Sequence, residues 1–138
     1  MRLWHKDLIP VLPRQQLISQ WRECCCIARN IAVNGTPNHL LVNKVMDYPI
    51  FHFICYSNRV AYEMRKRGYK CDTTAFSKWI NTDVIILTDP FPDWHNDRYL
   101  NQCLMNLQEK FDCGGIGFCE YEKIMAFTGE WLERMGMT

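Results

Sequence analysis

A chain of 138 residues has the length of one domain, and its 48% hydrophobic and 22% charged residues are ordinary globular composition, which excludes disorder. No run approaches the ~20 apolar residues of a membrane span, and the charged opening Met1-Arg2-Leu3-Trp4-His5-Lys6-Asp7 lacks the apolar stretch of a secretory leader. The formal charge of +1 hides a split: residues 1–70 carry 11 Lys and Arg against 4 Asp and Glu, a net +7, whereas residues 71–138 carry 5 against 11, a net −6. A basic face is what a phosphate backbone seeks, unless the two halves interleave in space and the field cancels. The expectation is one soluble, cytoplasmic domain over residues 1–138, acting as a monomer away from membranes.

In chain order, the first ten residues read as an extended arm closed by Pro10 and Pro13. Pro13 suits a helix's first turn, where its missing N–H costs nothing. Leu17, Trp21, Cys24, Ala28 and Ile31 then recur at helical spacing as far as Val33, and Asn34-Gly35-Thr36-Pro37 is a stop signal. A second helix should begin near Tyr48-Pro49, carry Ile50, Phe53, Ile54, Ser57, Val60, Ala61 and Met64 on one face, and end at Gly68. Asp72 or Thr73 can cap a short third helix through Trp79. Val84-Ile85-Ile86-Leu87 reads as an extended segment packed on helices, because no second β-run exists to pair with it. Leu100, Cys103, Leu104, Leu107 and Phe111 mark a fourth helix, and Tyr121, Ile124, Met125, Thr128, Trp131 and Met135 a fifth. The pattern predicts an all-α, mostly helical single-domain bundle with its N-terminal arm packed between the helices.

The eight cysteines contain no Cys-x-x-Cys pair, so most read as small buried hydrophobes, with zinc the minority alternative. His5, His39, His52 and His95 lack the paired spacing of a helical metal site, and no glycine loop cradles phosphate, so no metal or cofactor is expected. Arg22 and Glu23 place a base beside an acid on the first long helix. On residue type alone that pair reads as solvated helix surface.

The order of several short motifs adds to this reading. Met1-Arg2-Leu3-Trp4, the helix with Arg22-Glu23, and Ala61-Tyr62-Glu63-Met64-Arg65-Lys66-Arg67-Gly68-Tyr69 followed by Asp72-Thr73-Thr74 together resemble the pyrimidine-dimer DNA glycosylase family. The resemblance runs over about residues 1–75. Gln16 and Cys26 stand where the family carries a histidine and an arginine, and the family's aromatic C-terminus is matched only loosely by Tyr121, Phe127 and Trp131.

The resemblance implies excision of a damaged base followed by strand cleavage on duplex DNA carrying damaged or abasic nucleotides. The family's nucleophile is the chain's own α-amine, which forms an imine with the sugar. Such an amine titrates near 7.7–8.0 against about 10.4 for lysine, so it offers a usable neutral fraction at physiological pH. Here that amine falls to Met1, whose removal the bulky Arg2 should block. Glu23 carries over as the assisting carboxylate. Arg2 and Arg22 carry over as phosphate or nucleotide contacts, and Arg29, Arg65, Lys66 and Arg67 are expected to extend one positive surface. Two other readings remain open: a silent DNA-binding module that keeps the fold, and a protein-interaction domain that docks through its acidic half.

Overall fold

The structure, a computed structural model, describes residues 1–83 and 86–137. It contains α1 (Arg14–Asn34), α2 (Ile50–Lys66), the short α3 (Thr74–Ser77), α4 (Asp97–Asp112) and α5 (Phe118–Arg134). Two 3-10 turns join them, at Lys6–Val11 and Asn43–Asp47, and no strand occurs among the described residues. The all-α expectation holds.

Local sequence accounts for the boundaries. Pro13 lies just before α1 with ψ at 155°, and its carbonyl accepts the Leu17 N–H as the helix begins. Gly35 stops α1 in the left-handed region at φ +76°, its N–H returning to the Ile31 carbonyl at 2.9 Å. Gly68, at φ +80°, ends α2 in the same way, and Arg65 and Lys66 in the last turn suit the negative end of the helix. Of the two possible caps for α3, Asp72 serves: its Oδ1 accepts from the Thr74 N–H at 3.0 Å and from the Thr74 hydroxyl at 2.6 Å. α3 is a single turn that stops at Ser77, short of the expected Trp79. Asn96 caps α4 by accepting the Tyr99 N–H at 2.9 Å.

One hydrophobic core runs from Leu3 to Trp131. α1 packs on α2 and α3, α4 packs on α5, and the 3-10 turn of the arm touches both α2 and α5. Leu3, Trp4, Leu8, Ile9 and Leu12 are all buried, so the arm forms part of the core. At roughly 1.5–3 kcal/mol for each fully buried large apolar side chain, that contact is among the larger contributions to the fold.

Four further expectations need correction. The arm is extended only through residue 5, because Lys6–Val11 coils into a 3-10 turn. The Ile86 and Leu87 side chains are 52% and 89% exposed rather than packed, although the Ile86 carbonyl accepts from Cys55 Sγ of α2 at 3.1 Å, while Val84 and Ile85 lie outside the described residues. α5 buries only Ile124 and Trp131, seven residues apart, and leaves Met125 and Met135 exposed: a helix that touches its neighbours along a narrow seam needs few apolar positions. Among the cysteines Cys24, Cys55 and Cys103 are buried, Cys25 and Cys71 are half-buried, and Cys26, Cys113 and Cys119 are exposed.

Candidate active site at the N-terminal arm

The arm is sewn to α1 by one side chain, Gln20, which is fully buried. Its Oε1 accepts the Trp4 N–H at 2.7 Å and the Tyr56 hydroxyl at 3.0 Å. Its Nε2 donates to the Arg2 carbonyl at 3.0 Å and to Glu23 Oε2 at 3.2 Å. Tyr56, also fully buried, has a single hydroxyl proton, which it shares between Gln20 Oε1 and the nearer Trp4 carbonyl at 2.5 Å. One amide therefore fixes residues 2–4 and the Glu23 carboxylate together. Gln20 and Glu23 can share it because three residues apart on a helix is one face.

Residues outside this stretch complete the seating. Tyr99 donates to the Leu3 carbonyl at 2.5 Å. His95 accepts the Lys6 N–H on Nδ1 at 2.9 Å, and its own carbonyl lies 2.9 Å from His5 Nε2. The two imidazoles stack with centroids 5.2 Å apart. The buried Lys6 ammonium donates to Asp89 at 2.6 Å and to the Pro90 carbonyl at 2.8 Å. Because His95 Nδ1 is committed as an acceptor, the ring is neutral. Burial, reinforced by the charges of His5, Lys6 and Arg59, holds its pKa down to about 2.

Glu23 is half-buried, and desolvation raises its pKa above the usual carboxylate value. The largest opposing influence is the α-amine of Met1, followed by the Arg2 backbone amide and the Gln20 side chain. The amine's positive charge favours the carboxylate, although no ion pair within 4.0 Å joins the two among the described residues. A partly desolvated acid can donate a proton in one step and accept one in the next.

The sequence-predicted cations share no single cavity among those the described residues line. Arg2 stays at the arm, with its guanidinium 5.5 Å from the Trp4 ring and 4.0 Å from Cys103 Sγ. Arg22 is exposed one residue before Glu23, and Arg29, also exposed, lies over the Trp79 ring at 6.0 Å. Arg65 and Lys66 are exposed at the end of α2. Arg67 has a structural set of partners: Glu63 at 2.9 Å and the carbonyls of Leu12, Pro10 and Ile9 at 2.7, 3.1 and 3.4 Å. A cavity of about 980 Å³ receives Lys66 together with Lys6, Arg59 and Arg134, but also Glu63 and Asp89. Arg2 lines a different one, of about 630 Å³.

Sequence reasoning missed Gln20, Tyr56, His95 and Tyr99. Gln20 had a signal, since it is the polar intruder on the stripe that buries Leu17, Trp21 and Cys24.

The family model for pyrimidine dimer DNA glycosylases matches residues 1–77, which is more than half of the chain. No curated protein matches it, and no solved structure does. Met1, Glu23, Gln20 and Tyr56 fall inside the matched stretch, and Asp89, His95 and Tyr99 fall outside it.

Proposed function

The chain belongs to the pyrimidine dimer DNA glycosylase family, and from that premise we propose that it excises a damaged base from duplex DNA and then nicks the strand. The α-amine of residue 1 is the nucleophile and Glu23 is its acid–base partner. The acting unit is the single domain 1–138, working as a monomer.

The neutral amine uses its lone pair to bond C1′ of the damaged nucleotide. The glycosidic bond breaks, and the base leaves with the electron pair and takes up a proton. The sugar ring opens to an imine. Loss of a C2′ proton then expels the 3′ phosphate with its bonding pair and cuts the backbone. Glu23 serves both proton transfers, supplying one in its neutral form and accepting the other as carboxylate. Arg2 and Arg22 hold phosphates at the lesion, and Arg29, Arg65 and Lys66 contribute to the approach of the duplex. Arg67 ties the end of α2 to the arm.

The observation that carries this reading is the shared amide. Gln20 bonds both the Arg2 carbonyl and Glu23 Oε2, which brings the start of the chain to the carboxylate. Glu23→Gln should leave affinity for an abasic duplex unchanged and slow nicking about 10²–10⁴-fold, the usual effect of removing a positioned acid–base group. Because burial raises the Glu23 pKa, the nicking profile, already falling as the α-amine protonates, should steepen by a second ionisation above the ordinary carboxylate range, and that second step should vanish in the variant. Equal nicking by both proteins, or none by the native protein on any abasic duplex, would overturn the proposal.

A further inference from the structure

The cavity of about 630 Å³ beside the arm is lined by Arg2, Lys44 and Arg98 and by no carboxylate, over a floor that includes Trp94 and Tyr99. None of the three cations enters an ion pair among the described residues. Arg2 lies against neutral groups, the Trp4 ring and the Cys103 sulfur. Three cations that line one cavity without a countercharge repel one another, and an anionic ligand relieves that repulsion.

Leu40 and Leu41 stand on the rim, 86% and 51% exposed. A loose loop would not explain them. His39 accepts the Val42 and Asn43 N–H groups on its carbonyl at 3.0 and 2.9 Å and donates its own N–H to Asn43 Oδ1 at 3.0 Å. Its Nδ1 accepts the Leu41 N–H at 3.3 Å. The turn is built to hold two leucines outward beside a cationic hollow. Exposed apolar side chains flanked by phosphate-seeking cations are the combination that enters a DNA groove and wedges a base step apart.

We propose that this cavity and the turn at residues 40–44 form a second DNA contact, resting on the reading that the chain acts on DNA. Arg2, Lys44 and Arg98 clamp a backbone phosphodiester next to the lesion, and Leu40 and Leu41 insert into the loosened base step. The contact lies one residue from the amine, because Arg2 belongs to both. It also recruits Arg98 of α4, beyond the stretch that matches the family.

The test is duplex binding by fluorescence anisotropy from about 50 to about 200 mM salt, where each neutralised phosphate contributes a slope of about −0.9. Lys44→Gln with Arg98→Gln should flatten the slope by about two, and either single variant by about one. Leu40→Ser with Leu41→Ser should keep the slope and the affinity for intact duplex. It should reduce the preference for a duplex with a tetrahydrofuran abasic site roughly tenfold, since that preference reflects an easily opened step. All four side chains are exposed or on a rim, and melting curves verify that the variants fold. An unchanged slope or an unchanged preference, in a protein that still nicks DNA, overturns the clamp alone. Native protein that binds with the expected slope but never nicks overturns the catalytic reading and keeps the clamp. No DNA binding even at the lowest salt overturns both.

Discussion

Gln20 and Tyr56 grip residues 2–4 from inside the stretch that matches the family, whereas Asp89, His95 and Tyr99 grip residues 3–6 from outside it. The inner grip is directional: one amide satisfies two backbone groups of the arm and still reaches the Glu23 carboxylate. The outer grip uses buried imidazoles, a phenol and a lysine, and none of these touches Glu23. Two grips on one segment can thus divide the work. The inner one sets where the amine stands relative to its acid, and the outer one keeps the arm in the core.

Breaking the inner grip should have the largest effect. Gln20→Leu leaves the Trp4 N–H and the Arg2 carbonyl short of partners, while the Tyr56 hydroxyl keeps the Trp4 carbonyl. At about 1–3 kcal/mol for each unsatisfied buried group, the loss should be roughly 2 kcal/mol or more, read from urea unfolding. Because the amide also orients Glu23, nicking at saturating DNA should fall further than DNA affinity does. A variant that loses stability but nicks at the native rate would reduce Gln20 to a structural strut.

The outer grip should show itself through acid. Burial lowers the pKa of both His5 and His95, so the folded protein binds fewer protons than the unfolded chain below about pH 6.5. Stability is therefore complete above that pH and is lost as the pH falls, at up to about 1.4 kcal/mol per unit for each histidine. His95 dominates, since its Nδ1 would have to surrender the Lys6 N–H to become protonated. Melting temperatures that match at pH 8 and pH 5 would contradict this. The flatter profile expected of His95→Gln assigns the effect to that ring.

The smallest effect belongs to Tyr99→Phe, which removes the hydroxyl on the Leu3 carbonyl. It should cost about 1 kcal/mol, the typical net worth of one hydrogen bond. Nicking should stay within a few-fold of native. A loss of nicking as large as that of Gln20→Leu would dissolve the distinction between the two grips.

The helices were legible in the sequence where an apolar stripe faces a full layer. Leu17, Trp21, Cys24 and Ala28 on α1, and Leu100, Cys103, Leu104 and Leu107 on α4, are buried as their spacing predicts. Periodicity misled on α5, because Met125 and Met135 continue the pattern past the seam that α5 actually buries. It misled again at Ile86 and Leu87, where β-like composition stands in an exposed segment. Glu23 was legible only through its resemblance to a family, since an Arg-Glu pair on a helix carries no signal of its own. The outer grip was hidden for a different reason. His95 and Tyr99 meet His5 and Leu3 across some 90 residues of chain, and no local pattern encodes such a contact.

Whether the α-amine is the nucleophile is read by borohydride reduction of the protein on an abasic duplex, with the cross-linked peptide identified by mass spectrometry. An imine on the α-amine predicts a reduced adduct on residue 1, abolished when that amine is acetylated and retained when lysines alone are modified. An adduct on a lysine side chain, formed equally with the terminal amine blocked, would contradict it.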